Sequence, residues 1–211
     1  MIYHYVNLAC WEDIATNFDR RYQQTLFCDS ISMKLVMWLF GHRNVLLVPG
    51  SSTLSKIEAE LEDRNVLFLL ARTAKNSEIA KSLVLPVEAN FSAIPAELID
   101  LIDVSDFNSI YIGISSPKQN TLSYIIADRY PDLEIRCVGA VLGSVGVNKH
   151  IFLLHKSASS SGFEWLFHLI KTPRRTLKKL WLILIAMSRL AVSRPRRALF
   201  NELCNNITRV N

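Results

Sequence analysis

The sequence predicts an α/β fold, a Rossmann-like sandwich with a mainly parallel sheet, followed by a basic helical C-terminal appendage. Three observations lead there. Short runs at Val45–Val48, Val66–Leu70, Ile110–Ile114 and Ile135–Leu142 are apolar throughout, as strands buried on both faces must be. Helical patterns separate these runs, which favours parallel pairing through crossover helices. Finally, residues 171–211 hold ten Lys and Arg against the single acid Glu202, a charge of +9, whereas the preceding 170 residues carry −4.

Each element has its own local cause. Trp11 to about Gln24 reads as a helix, followed by a break at Cys28-Asp29-Ser30. Ser32–Phe40 is a second, apolar helix that Gly41 stops. Val45–Val48 ends at Pro49-Gly50, the signature of a buried strand running into a turn. Leu54, Ile57 and Leu61 mark a helix face, with Ser55 and Glu58 spaced as a capping box. Val66–Leu70 is a strand, and a short helix with Pro95 in its first turn runs to Ile102. Ile110–Ile114 is a strand, Leu122, Ile125 and Ile126 form a helix face, and Ile135–Leu142 is the last strand.

With 211 residues, half of them hydrophobic, the chain suffices for one α/β domain, 1–162, and an appendage, 163–211. The small-residue stretch Ser157–Gly162 separates them. Seven Gly and seven Pro exclude a low-complexity protein. Four cysteines without a C-x-x-C pair read as reduced thiols, which suits the cytoplasm. The N-terminal residues show no basic segment leading into an apolar run, so no secretory signal is expected.

Parallel sheets bind ligands beyond the carboxyl ends of their strands, so the loops after Val48, Leu70, Ile114 and Leu142 are the places to look. Ser115-Ser116-Pro117-Lys118-Gln119-Asn120 joins a strand to a helix. Free backbone N–H groups, the helix dipole and Lys118 favour an anion there, and Gln119 offers a donor and an acceptor; an ordinary turn with a solvated lysine is the competing reading. Asp29 is either a helix N-cap or a reactive carboxylate. Gly50–Lys56 lacks the second glycine and the Gly-Lys pair of a phosphate-binding loop. Asp100, Asp103 and Asp106 have no histidine or cysteine beside them, the five histidines lack ligand spacing, and no metal site is predicted.

In the tail, Arg174, Arg175, Lys178 and Lys179 precede the apolar Leu180–Met187, which is shorter than the ~20 residues that span a bilayer. The segment is either an interfacial helix on an anionic membrane or a core helix with a basic solvent face. Nucleic acid is not the expected partner, because aromatic residues are not interleaved with the cations as stacking platforms.

Three of these segments, in order, resemble the signature of the WecG/TagA/CpsF family of bacterial glycosyltransferases. Ile112–Asn120 is similar to its V-G-x-G-x-P-K-Q-E loop, and Cys137-Val138-Gly139-Ala140-Val141 to its G-V-G-G-A strand. Gly162–Leu169 with Pro173-Arg174-Arg175 is similar to its G-L-E-W-L-Y-R-L…E-P-x-R region. Upstream, Asp29-Ser30-Ile31 falls at the family's P-D-G, Val48–Ser51 at V-T-G-S/T-D, Val66–Leu70 at R-V-F-L-L-G, and Asn7 at the asparagine of T-x-N.

The resemblance implies inverting transfer of an N-acetylmannosamine-type sugar from UDP to an undecaprenyl-diphosphate-linked acceptor, in bacterial surface-polysaccharide synthesis. It implies no metal or other cofactor. Asp29 would be the general base, and Asn7, Lys118, Gln119, Arg174 and Arg175 would bind substrates. The basic appendage would hold the protein peripherally on the inner face of the cytoplasmic membrane. Homo-oligomer formation stays open. Departures are also present: Ser30 replaces a glycine, Asn120 a glutamate and Tyr5 a threonine. The family's F-D-F falls at Leu142-Gly143-Ser144, and its K-x-x-R-A-P is absent around Val147–Ile151. The alternative they raise is a catalytically degenerate member acting as a binding or partner subunit.

Overall fold

The structure is a computed structural model that describes residues 1–8, 10–53, 56–57, 60, 65–71, 82–85, 104, 106–114, 116, 118–139 and 173–208. The strands are β1 (Ile2–Val6), β2 (Gln24–Cys28), β3 (Val66–Ala71), β4 (Ser82–Leu85), β5 (Ser109–Gly113) and β6 (Glu134–Cys137). The helices are α1 (Trp11–Thr16), α2 (Ile31–Leu39), α3 (Lys118–Arg129), α4 (Pro173–Val192) and α5 (Arg194–Asn205). One sheet runs in the order β2-β1-β6-β5-β3-β4. Its pairings from β1 through β6, β5 and β3 to β4 are all parallel. The expected α/β class with a mainly parallel sheet and C-terminal helices is therefore present.

The chain forms two compact units, Met1–His4, Asp19–Thr25 and Ser52–Val147, and Tyr5–Phe18, Leu26–Ser51 and Asn148–Asn211. In the first, Leu67, Leu69, Ile110, Ile112 and Ile135 of the sheet pack with Leu122 and Ile126 of α3 in a closed core. The 122/126 spacing is one helical repeat and puts two residues of the expected apolar face in the core, while the third, Ile125, is half-buried. In the second unit, Val6, Trp11, Leu26, Met33, Val36 and Met37 share a core with Leu190, Phe200, Leu203 and Cys204. Phe200 meets the Trp11 ring edge-on at 5.1 Å, and Arg196 pairs with Glu12 at 2.7 Å. The C-terminal helices thus supply core side chains to this unit.

Several expectations are corrected. The first helix stops at Thr16 rather than near Gln24, because Asn17 closes it, its backbone N–H donating to Asp13 O. The Arg21 N–H and guanidinium then bind the Asp19 carboxylate and turn the chain. The residues that follow form β2, where Leu26 and Cys28 are buried at strand spacing. Val45–Val48 is not a strand of the sheet. Leu46 lies 40% exposed, Leu47 makes only an isolated bridge to Cys28, and Leu46 N–H donates to Thr208 O. Pro49 can donate no backbone hydrogen bond to prolong the pairing. β1 and β4 were not expected. In β1 the tyrosines and His4 interrupt the apolar run, although all but Tyr3 are buried.

Other expectations hold closely. Gly41 has φ +92°, the left-handed end that a glycine permits after α2. The last strand, by contrast, is corrected: β6 is Glu134–Cys137 and ends short of the expected Leu142. The Pro95–Ile102 helix, most of the Leu54–Leu61 helix, the 157–162 linker, the 162/163 boundary and the Gly162–Leu169 segment lie outside the described residues.

Candidate functional site

In the second unit, three chain segments converge on Asp29. Asn7 follows β1, Asp29 follows β2, and Gly50 follows the extended 45–48 stretch. Asp29 N–H donates to Val6 O at 2.9 Å, which fixes the backbone. Both carboxylate oxygens are held: Gly50 N–H donates to Oδ1 at 2.6 Å, and Asn7 Nδ2 donates to Oδ2 at 3.1 Å. Each oxygen keeps further acceptor capacity.

Capping is the competing role for this carboxylate, and the structure gives it to the neighbour. Ser30 is the N-cap of α2, its hydroxyl accepting from Met33 N–H at 3.2 Å. Asp29 is thus spared that task and held by two donors from other segments, half-buried at the end of a strand. Asn7 is itself anchored, its carbonyl accepting from Cys10 N–H and Trp11 N–H to start α1.

The first unit holds the second constellation. α3 opens with Lys118, Gln119 and Asn120, all buried. Lys118 lies only 8% exposed in the helix's first turn, where no acid stands and the dipole is already positive. Such a place suits an anion. Gln119 Oε1 is buried without a hydrogen-bond partner among the described residues, an acceptor that costs about 1–3 kcal/mol until a donor meets it. Gly139, after β6, has φ +59°, and a Cβ there would lie 3.6 Å from Gln119 Oε1 and 3.9 Å from Ile114 O. The loops after the adjacent strands β5 and β6 thus meet at this side chain. Asn120 Nδ2 donates to Ser116 Oγ at 3.1 Å, and Ser123 Oγ donates to Asn120 O at 2.7 Å, so the turn is tied down.

The structure therefore joins Asn7 and Asp29 directly, and sets Lys118 and Gln119 side by side in one helical turn. Arg174 and Arg175 fall in the first turn of α4. Gly50 and Gly139 were not among the expected site residues. Gly50 acts through its backbone N–H, and its marks in the sequence are the Pro49-Gly50 turn and the likeness of Val48–Ser51 to the family's motif. No cluster of three His, Cys, Asp or Glu side chains that could hold a metal exists among the described residues. Burial pushes the Cys10 and Cys137 thiols up to about 12, so neither is a thiolate nucleophile.

Described each by itself, the held carboxylate is suited to proton transfer and the helix start with its buried lysine to an anion. The glycosyl transferase WecG/TagA/CpsF family model matches residues 4–199 of this chain, which belongs to that family. No curated protein and no solved structure matches it significantly. The chain is a glycosyltransferase, with a sugar donor and an acceptor as substrates.

Proposed function

We propose that this glycosyltransferase moves an N-acetylmannosamine-type sugar, with inversion, from UDP to an undecaprenyl-diphosphate-linked acceptor in bacterial surface-polysaccharide synthesis. The observation that carries the reading is the Asp29 carboxylate, held at both oxygens by Asn7 and Gly50 and relieved of capping by Ser30. In an inverting transfer the acceptor hydroxyl attacks the anomeric carbon while the bond to UDP breaks. Asp29 takes the hydroxyl proton, and UDP leaves with the bonding pair. Lys118, the amides at the start of α3, Arg174 and Arg175 would meet the charge that develops on the leaving diphosphate. Gln119 Oε1 would accept from an N–H or O–H of the donor, which satisfies its buried oxygen.

A lipid-linked acceptor requires the protein to work at a membrane, and α4 supports docking on the inner face. Its Ile183 and Met187 pack on the core, whereas Trp181 is 64% and Leu184 59% exposed. No helix among the described residues is long and apolar enough to cross a membrane, so the contact would be peripheral.

Asp29→Asn tests the central role. It keeps the size of the side chain and removes its basicity, so turnover of UDP-sugar on a polyprenyl-diphosphate acceptor should fall by about 10²–10⁴, while the loss of one acceptor oxygen costs at most about 1–3 kcal/mol of stability. Equal turnover would remove Asp29 from the mechanism. Lys118→Ala with Gln119→Ala should lose UDP binding in calorimetry, and retained binding would place the donor elsewhere. If the wild-type protein transfers sugar from no nucleotide donor, the degenerate-member alternative replaces this reading.

A further inference from the structure

The helix that follows Asp29 has two apolar faces and only one of them meets the core. α2 buries Met33, Val36 and Met37, at the spacing of one helical face. The opposite face carries Ile31, Leu35, Trp38 and Leu39, exposed by 49, 54, 51 and 57%. These positions follow the i, i+4, i+7, i+8 repeat, so they form a continuous stripe rather than scattered residues. A helix hydrophobic all round belongs in a core or in contact with lipid or a partner, and leaving four large side chains in water is costly.

Charge selects among the occupants. From Ser30 to Ile57 the sequence contains no Asp or Glu, while it contains Lys34, His42, Arg43 and Lys56. Lys34 lies on α2, beside Leu35, and the Arg43 guanidinium lies 5.8 Å from the centre of the Trp38 ring. Aliphatic side chains, a tryptophan and flanking cations without a single acid match an anionic bilayer surface, where cations meet phosphates and tryptophan sits at headgroup level. At nine residues α2 is far too short to span the hydrocarbon, so it would lie in the interface.

We infer that the Ile31-Leu35-Trp38-Leu39 face of α2 is a lipid-contacting surface that seats on anionic membrane, separate from α4. Its consequence for catalysis rests on the lipid-linked acceptor proposed above. Ser30 caps α2 directly after Asp29, so docking α2 would set the base within about one helical turn of the interface where the acceptor diphosphate resides.

The test uses the full chain with vesicles of phosphatidylcholine alone and with added phosphatidylglycerol. Leu35→Gln with Trp38→Gln should weaken partition into anionic vesicles roughly tenfold or more, because the inserted apolar area is lost. Trp38→Phe should retain most of the binding, which a misfolded variant could not do. Lys34→Gln with Arg43→Gln should lower binding to anionic vesicles and leave weak neutral binding unchanged. Wild-type partition in Leu35→Gln/Trp38→Gln overturns the inference. So does a wild-type dimer without vesicles that this variant turns to monomer in sedimentation velocity, since the occupant is then a second copy. Trp181→Gln with Leu184→Gln reports the α4 contact independently. If α2-dependent partition persists while no lipid-linked acceptor is turned over, the functional reading fails and the lipid surface stands.

Discussion

His4 shows how one buried side chain can set a pH dependence. It sits in β1, 1% exposed, paired in register with Cys137 and with its ring 6.0 Å from that of Tyr124. Among the described residues neither ring nitrogen reaches hydrogen-bond geometry, although Gln24 and Asn120 stand close enough to favour its protonated form. Burial outweighs them and lowers its pKa from 6.5 to about 4. The neutral ring is thus the folded form, while the unfolded chain takes up its proton near the ordinary value. Stability from this group is whole above about pH 6.5 and declines as pH falls toward 4. The decline should be on the order of 3 kcal/mol in urea unfolding, and His4→Phe should flatten it. Asn7→Ala offers a second test at this scale. It removes one of the two donors on Asp29, so turnover should drop about tenfold, with a smaller effect on stability. The strand-to-helix junction that carries Lys118 and Gln119 was legible in the sequence, because an apolar run passes there into a helical face. Gly50 and Gly139 lay inside the resembling motifs, but their contacts were not legible, since a backbone N–H and a positive φ leave no side-chain signal.

The elements divide along the same line. β3 and β5 match their expectations within a residue or two, and α3 carries the expected helical face, because uniform apolar runs and a 3.6-residue repeat are strong signals. β1 and β2 escaped notice for a physical reason. Gln24, Thr25, Tyr3 and His4 dilute the hydrophobic run, and only tertiary pairing reveals those residues as strands. Val45–Val48 misled in the opposite direction: four apolar residues in a row, yet Leu46 faces solvent. Element α5 carries a clear stability prediction. Phe200 is fully buried between the rings of Trp11 and Phe40, so Phe200→Ala should cost about 3–5 kcal/mol in denaturant unfolding. Arg194→Gln, on an exposed side chain of the same helix, should change stability by less than about 0.5 kcal/mol.

For the whole molecule, the division of charge has a measurable outcome. The +9 borne by residues 171–211, against −4 before them, should make attachment to anionic vesicles reversible and salt-sensitive. Protein pelleted at low salt should be released substantially at 0.5 M salt, about where the Debye length falls to a few ångströms. Binding unaffected by salt would mean that apolar insertion alone holds it. The family and its parallel sheet were legible from ordered motifs, whereas the membership of the two units was not. Residues from both ends of the described chain build the second one, and periodicity says nothing about such distant pairing.

That last arrangement reaches back to how the protein is made. Leu26 bridges Ile207, and Thr208 hydroxyl and N–H both donate to Leu26 O, a contact across 182 positions of sequence. Leu26 lies three residues before Asp29, so the segment that carries the carboxylate gains its last hydrogen-bonded neighbour only when residue 208 has left the ribosome. Synthesis proceeds from the N-terminus, and the first unit's residues up to 147 emerge well before that moment. A nascent chain can therefore bury the core around α3 while the segment that carries Asp29 still lacks the C-terminal residues packed against it.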